Sequence, residues 1–268
     1  MTLSHGFLHG NRWVNTVAIR PLTGHDQRFL ADVAVCCSPA VRITGLLARL
    51  VSMDAGDPSA GVVRRLTAGD LEAILLHLCR SLWGDRISSL INCPQCGERV
   101  TLDLAVSSLL VPPAAHPAGE YHVAVAGHQM RLRAVNGADL ERAAGAAGAA
   151  AESIARSCVL ASEPPLPEGP LTPELSDALS SALAALDPQA DILLDVQCSA
   201  CGHMVQIPFD PGEFLQQVIE MRRKTLDEEI HALAFYYHWT EEAVLELPLR
   251  QRRRYFELIA GELAREDR

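Results

Sequence analysis

The sequence predicts an α+β fold that is mostly helical and contains a zinc ribbon divided between two distant segments. Three observations support this prediction. Two C-x-x-C-G motifs are separated by about 100 residues, apolar residues recur at helical spacing before and after them, and an alternating apolar and polar pattern lies between them. A chain of 268 residues with 49% hydrophobic composition is also long enough to bury a sizeable core.

These patterns divide the chain into four parts. The sequence predicts an N-terminal helical region over residues 1–90, a split zinc ribbon formed by 91–104 and 190–210, an α+β insertion over 105–189, and a C-terminal helical region over 211–268. The ribbon would therefore join segments that are far apart along the chain.

Helix starts are the clearest signals in the N-terminal region. Each start pairs a capping side chain with an acid or a proline that favours the first helical turn. The three pairs are Thr23 with Asp26, Ser38 with Pro39, and Thr67 with Asp70. The helix after Thr67 is strongly amphipathic, and we expect Gly84 to end it.

Two short segments carry the metal-ligand motif. "INCPQCGERVTLDL" contains Cys93 and Cys96, and "DILLDVQCSACGHMVQIPFD" repeats the motif with Cys198 and Cys201. In both segments apolar residues precede the motif and alternating residues follow it, which is typical of a zinc-ribbon hairpin. We therefore predict one structural zinc ion per chain, bound by Cys93, Cys96, Cys198 and Cys201.

A site of this kind would be closed. Each C-x-x-C turn supplies two of the four tetrahedral positions around zinc, and the glycine that follows accepts the required backbone conformation. Because four thiolates leave no position for water or substrate, the expected role of the zinc is to stabilise the fold. His203, two positions after Cys201, is an alternative ligand.

Two other interpretations of the motifs stay open from the sequence. The cysteines could be reduced and buried in unrelated turns, or one motif could be redox-active, although redox C-x-x-C motifs normally open a helix. The other four cysteines have no ligand spacing, and we expect them to be buried thiols. They are Cys36, Cys37, Cys79 and Cys158.

The sequence of the insertion predicts a β-hairpin followed by helices. "EYHVAVAGHQMRLRAV" alternates on both sides of Gly127, which indicates two strands joined by a tight turn. Asn136 is expected to cap the next helix, and Thr172 with Pro173 to open a later one that ends near Leu186.

The C-terminal region is predicted to be helical throughout. "DPGEFLQQVIEMRRKTLDEEIHALAFYYHW" has the pattern of one long helix, Thr240 caps a short helix that Pro248 interrupts, and a final helix follows. Arg250, Arg252, Arg253 and Arg254 form a dense basic run. The run could dock a partner's acidic surface or nucleic acid, or could be a solvated helix face paired with acids.

Aromatic residues stand in a row at Tyr236, Tyr237, His238 and Trp239. Interfaces favour such side chains because they bury a large area at a small entropy cost, but a helix end packed on its own core is an equally good explanation. The sequence does not decide between an interface and a core.

Composition and charge exclude several classes of function. A formal net charge of -10 argues against binding to nucleic acid or anionic lipid, and no stretch offers about 18 uninterrupted apolar residues for a membrane span. The amino terminus lacks the features of a secretory signal, so we expect a cytoplasmic protein. The sequence contains no G-x-S-x-G, H-E-x-x-H or P-loop motif, so we expect no enzymatic activity.

Two segments carry a resemblance to a known family. "LTAGDLEAILLHLCRSLWGDRI" runs into the first C-x-x-C motif, and "HALAFYYHWTEEAVLELPLRQRRRYFELI" closes the chain. In this order, with two C-x-x-C motifs between them, they resemble the T-even phage baseplate protein family of contractile tails and related injection systems. The resemblance covers most of the chain.

The resemblance implies a non-catalytic protein, made in the cytoplasm, that helps to build a baseplate or is built into it. Its expected partners are other baseplate or tail proteins. The family does not by itself imply the zinc site, which rests on the cysteine spacing in this chain. A zinc-ribbon module that binds nucleic acid or regulates another protein is the alternative function, and an enzyme ranks third.

Overall fold

A computed structural model describes residues 1–9, 11–52, 60–112, 119–144, 150–221 and 223–266. These residues form twelve α-helices, one short 3-10 helix and eleven β-strands that pair in small sheets. The fold is therefore α+β and mostly helical, as the sequence predicts.

The N-terminal part begins with a β-hairpin and continues with helices. In chain order its elements are β1 (Thr2–His9), β2 (Arg12–Thr16), β3 (Ala18–Ile19), α1 (Gly24–Val33), α2 (Pro39–Leu50), β4 (Val51–Ser52), α3 (Ala60–Val63) and α4 (Ala68–Trp83). The β1–β2 hairpin was not predicted. Its inward-facing positions are Leu3, His5 and Phe7, all buried, and the histidine interrupts the apolar alternation that would have identified a strand.

Asp70, in the first turn of α4, holds the N-terminal hairpin against the helices. Its carboxylate accepts hydrogen bonds from the backbone N–H groups of Ser4, His5 and Gly6 at 2.8, 3.2 and 2.8 Å. Asp70 is fully buried, and bonds from three amides compensate for the loss of water around its charge.

Two antiparallel hairpins and the insertion occupy the middle of the chain. The elements are β5 (Arg86–Asn92), β6 (Arg99–Ala105), α5 (Val106–Leu109), β7 (Tyr121–Val125), β8 (His128–Leu132), α6 (Gly137–Ala143), α7 (Ala150–Cys158), β9 (Val159–Glu163), α8 (Pro173–Leu186), a 3-10 helix (Pro188–Ala190), β10 (Leu193–Gln197) and β11 (Met204–Pro208). The hairpin predicted around Gly127 is confirmed as β7 and β8.

The insertion has its own apolar core. Strands β7, β8 and β9 form a three-stranded antiparallel sheet, and helices α7 and α8 pack against it. Met130, Leu132, Leu175 and Leu179 are among the buried residues there.

Four helices complete the chain. They are α9 (Pro211–Met221), α10 (Arg223–Tyr237), α11 (Glu241–Glu246) and α12 (Leu249–Glu266). The sequence predicts a single long helix over this region, which corresponds to α9 and α10. The two helices are separated by residue 222, and this residue is not among those that the structure describes. Leu233, Val244 and Ile259 form a small core between the last three helices.

The predicted helix starts are confirmed. The six helices whose starts the sequence predicts are α1, α2, α4, α6, α8 and α11. Their N-cap residues are Thr23, Ser38, Thr67, Asn136, Thr172 and Thr240. At α4 the Thr67 hydroxyl accepts a hydrogen bond from the Asp70 N–H at 3.1 Å, and Gly84 ends the helix with a φ of +89°.

The main core connects the N-terminal hairpin with α1, α2, α4 and α9. Leu46, Leu47, Ile74 and Leu78 are fully buried within it. A smaller cluster, which includes Ile87 of β5, joins the base of the β5–β6 hairpin to α4 and α5. This packing fixes where the β5–β6 hairpin leaves the body of the protein.

Candidate metal centre

The first cysteine turn, residues 93–98, connects β5 and β6. The strands pair in register up to Asn92 and Arg99. The Cys93 N–H donates to the Glu98 carbonyl at 2.8 Å, and the Gly97 N–H donates to the Cys93 carbonyl at 2.8 Å. Gly97 has a φ of +74°, a left-handed conformation that glycine adopts without steric strain.

The second cysteine turn, residues 198–203, repeats this geometry between β10 and β11. The Cys198 N–H donates to the His203 carbonyl at 2.9 Å, the Gly202 N–H donates to the Cys198 carbonyl at 2.9 Å, and Gly202 has a φ of +73°. Both motifs therefore form tight turns at the ends of hairpins. Neither turn opens a helix, unlike a typical redox C-x-x-C motif.

The two turns bring four sulfur atoms together, which we call the cysteine cluster. The Sγ atoms of Cys93, Cys96, Cys198 and Cys201 all lie within 4.8 Å of one another. The distance is 3.8 Å between Cys93 and Cys201 and 3.7 Å between Cys96 and Cys198. Four sulfurs about 2.3 Å from a tetrahedral metal ion are about 3.8 Å apart. The cluster could therefore bind a metal ion through four thiolates.

The cluster lies at the tip of a small apolar core made by the two hairpins. Val100 and Leu102 of β6 are buried there, and Leu194 and Val196 of β10 pack against them. The first cysteine of each motif is buried and the second is exposed. Cys93 and Cys198 therefore pack in the apolar core of the two hairpins, while Cys96 and Cys201 face solvent.

Hydrogen bonding sets the acidity of the thiols. The backbone N–H groups of Cys201 and Ala200 donate to Cys198 and lower its pKa to about 7. The Glu98 amide lowers the pKa of Cys96, but hydrogen bonding to Cys201 together with burial outweighs this effect and raises it to about 12. Thiols this close cannot all ionise without a cation, because neighbouring thiolates repel one another.

The alternative ligand, His203, is not part of this arrangement. Its backbone carbonyl accepts the Cys198 N–H, its side chain is exposed, and the group of converging ligand atoms consists of the four cysteines.

The prediction of buried thiols is confirmed for Cys79 and Cys158, which have no solvent exposure. It is wrong for Cys36, which is exposed, and for Cys37, which is half-buried. These two residues lie in the turn between α1 and α2, which leaves Cys36 at the surface and Cys37 partly accessible, and their sulfurs are 3.4 Å apart.

The basic run divides between the interior and the surface. Arg252 is completely buried, and its Nε donates to Glu229 at 2.6 Å while another guanidinium nitrogen donates to Gln27. Arg252 therefore cannot belong to the docking patch proposed from the sequence, since no partner can reach it. The patch is reduced to Arg250 and Arg254, which are exposed, and Arg253, which is half-buried and 4.0 Å from Glu229.

The aromatic row is divided as well. Tyr237 and Trp239 pack against Tyr255 of α12 with ring centroids 5.1–5.9 Å apart, so they belong to the C-terminal core. Phe235 and Tyr236 are exposed by 65% and 45%. Tyr236 and His238 of the row, together with the preceding Phe235, are therefore exposed to solvent and accessible to another molecule.

Sequence reasoning missed Glu72, an acid on the apolar side of α4. It lines a large groove, and its Oε2 is shielded from solvent and has no hydrogen-bond partner within the described part of the chain. A possible signal was its place among Leu71, Ile74 and Leu75, where helical spacing puts an acid beside the buried face.

Comparisons of the chain with protein-family models, with curated proteins and with solved structures give no match. In the described part of the chain, no helix has both the length and the apolar character needed to cross a membrane.

Proposed function

We propose that the cysteine cluster binds one structural zinc ion. Two observations support zinc: the donor set consists of four thiolates, and the spacing between sulfurs fits a tetrahedral ion about 2.3 Å from each of them. Zinc bound in this way has no position left for a substrate, so its role is to join residues 93–98 to residues 198–203.

Metal content measured by mass spectrometry on protein purified without added metal tests this proposal. We expect one zinc per chain in the parent and none in the variant with serine at Cys93, Cys96, Cys198 and Cys201. Iron or no metal in the parent would contradict zinc. A variant with serine at Cys36 and Cys37 is the matched control and should keep its zinc, because those residues lie outside the cluster.

We further propose that the protein is a structural or assembly component of a contractile, phage-tail-like particle and acts at its baseplate. What supports this proposal is the resemblance of two sequence segments, residues 66–87 and 231–259, to baseplate proteins, in an order that places the cysteine cluster between them. A protein of this kind works through contacts with other proteins, and the zinc keeps the contacting surfaces in fixed positions.

Particle fractionation tests the baseplate proposal. In cells that encode the protein, a tagged chain should sediment with baseplate or sheath proteins, and deletion of its gene should leave particles absent or incomplete in electron micrographs. The parent gene should restore assembly, and a gene with Cys93→Ser and Cys198→Ser should not. Normal particles after deletion, with no co-sedimentation of the tagged chain, would exclude the role.

The alternative, a zinc-ribbon module for nucleic acid, has less support. Arg252 is buried and Arg253 lies near Glu229, so the basic run offers fewer free cations than its sequence suggests. Binding to DNA or RNA at low salt that weakens steeply as salt rises would revive this alternative.

A further inference from the structure

A groove with a cavity volume of about 1250 Å³ lies between α2, α4, α6 and α9. This volume exceeds the range of roughly 300–1,000 Å³ that is usual for small-molecule pockets. The groove is open to solvent and its walls are helices, which is the geometry that binds a helix of another protein. A macromolecular segment therefore fits this groove better than a metabolite does.

The lining is mostly apolar, with small side chains beside larger ones. Ile43, Leu71 and Leu75 are buried beneath the groove, and Ala40 and Ala143 are half-buried beside it. Alanines allow the backbone of an occupant to approach closely, and the larger side chains offer apolar contact. An occupant must therefore present an apolar face.

Among the lining side chains that the structure describes, the charged ones are mostly acidic. Glu72, Asp210, Glu213 and Glu220 contribute carboxylates, and Arg42 is the basic residue of this described set. Arg42 already donates to the Cys37 carbonyl at 3.0 Å and to the Gln216 side chain at 3.2 Å. The charge of the groove therefore complements a cationic occupant.

Glu72 is the carboxylate with the strongest requirement for a partner. Its Oε2 is shielded from solvent and makes no hydrogen bond to any residue that the structure describes. Asp210, in contrast, accepts a hydrogen bond from the Glu213 N–H at 2.8 Å and caps α9. A buried carboxyl oxygen without a partner is unfavourable in the free protein, and a cation from outside would satisfy it.

We propose that this groove binds an amphipathic helix of a partner protein, and that a lysine or arginine on its apolar face pairs with Glu72. The helix would bury its apolar face on α2, α4 and α9 and neutralise part of the acidic lining. The inference rests on the proposed function for the nature of the partner, a protein of the same particle. The groove itself can be tested without that particle.

A displayed library of helical peptides, selected against the full-length protein, provides the test. Selected peptides would be measured by fluorescence anisotropy against four proteins: the parent, Glu72→Gln, Ala40→Trp and Glu257→Gln. Glu72→Gln removes the ionisable carboxyl group with little change in shape, and Ala40→Trp fills the groove. Glu257→Gln is the matched control, because Glu257 is exposed on α12.

We expect the enriched peptides to carry a lysine or arginine among apolar residues at helical spacing. Glu72→Gln should raise their dissociation constants about tenfold or more. The reason is that the substitution removes one partner of the ion pair that Glu72 forms with the peptide, which is shielded from water. Ala40→Trp should abolish binding and Glu257→Gln should not change it. Thermal melting and zinc content identify any variant that fails to fold, and Glu72→Gln stays informative if Ala40→Trp does not fold.

The inference is overturned if no peptide is enriched, if the enriched peptides lack a cationic residue, or if all four proteins bind them equally. These outcomes leave the baseplate proposal intact, because co-sedimentation of the parent with particles does not depend on them. Conversely, cationic peptides that bind through Glu72, together with a parent that never sediments with particles, would support the groove and exclude the baseplate role.

Discussion

The cysteine cluster and the Glu72 groove are built in opposite ways. In the cluster, four identical side chains from two distant hairpins converge within 4.8 Å, and the chain itself supplies a full set of ligands. In the groove, the carboxyl group of Glu72 lies among apolar side chains, and no described residue bonds to its Oε2. The four cysteines together form a full set of ligands for one ion, whereas the described residues of the groove leave a buried oxygen without a partner.

This difference separates residues that stabilise the fold from residues that are available for recognition. A side chain whose partners belong to the same chain lowers the free energy of the folded state. A buried ionisable group without a partner raises that free energy once the pH favours its charged form, and groups with strongly shifted pKa values are common at functional sites. Substitutions in the two regions should therefore have opposite effects on stability.

The largest effect is expected in the cysteine cluster. Cys93→Ser or Cys198→Ser removes one ligand of the proposed zinc ion and should lower the free energy of unfolding by several kcal/mol, since structural zinc contributes about 10–16 kcal/mol of apparent binding energy in small domains. Chemical denaturation with parallel zinc analysis measures both consequences.

Cys158→Ser is the control for this prediction. Cys158 is also fully buried but lies outside the cluster, so its replacement should cost about 1–3 kcal/mol and leave the zinc in place. If Cys93→Ser unfolds at the same denaturant concentration as the parent, the cluster does not hold the hairpins together.

The next largest effect is expected at Arg252, a buried charge that has partners. Arg252→Met leaves the buried Glu229 without its closest cation and should cost about 3–5 kcal/mol. Arg250→Met, at an exposed position in the same helix, should change stability by less than about 0.5 kcal/mol. Denaturation of both variants with urea gives the comparison.

A double substitution sharpens this result. Replacement of both Arg252 by Met and Glu229 by Leu removes both charges, so much of the lost stability should return. A double variant less stable than Arg252→Met would show that Glu229 has a structural role beyond the pair.

Glu72 should behave in the opposite way to Arg252. Burial, with a further contribution from nearby Asp210 and Asp187, raises the pKa of Glu72 from 4.5 to about 8. The folded protein therefore binds a proton that the unfolded chain releases, so stability falls as the pH rises from 4.5 to 8. Glu72→Gln should remove this fall and stabilise the protein by about 1–3 kcal/mol at pH 7.

Melting temperatures of the parent and Glu72→Gln between pH 5 and pH 8 test this prediction. The two proteins should be similar near pH 5 and should diverge as the pH rises, with the variant the more stable. A parent that becomes relatively more stable at high pH would mean that Glu72 already has a cationic partner within the chain.

The cluster could be predicted from the sequence because each half is a local pattern. Two cysteines on one tight turn, followed by a glycine and an alternating strand, are typical of half a zinc ribbon, and a second such turn supplies the other two ligands. The helix starts were predictable for the same reason, since a cap such as Thr67 acts on residues only three positions away.

What the sequence did not predict depends on contacts between distant segments. The burial of Arg252 follows from its contacts with Gln27 and Glu229, which lie 225 and 23 residues away. His5 occupies an inward-facing position of β1 and is buried in spite of its polarity. The groove arises only when α2, α4, α6 and α9 pack together, and no local pattern encodes the space between four helices.

The smallest change in stability is expected for the glycines of the two cysteine turns. Substitution of each glycine in turn compares the two halves of the cysteine cluster. Gly97 and Gly202 have φ angles of +74° and +73°, and a Cβ added to either glycine would meet no atom within 4 Å. The penalty for alanine is therefore that of the left-handed backbone alone, about 1–2 kcal/mol at each position. Gly97→Ala and Gly202→Ala should destabilise the protein equally and leave the zinc content unchanged, as denaturation and metal analysis would report. If one substitution costs much more than the other, the two turns are not equivalent, and the ion depends on one hairpin more than on its counterpart.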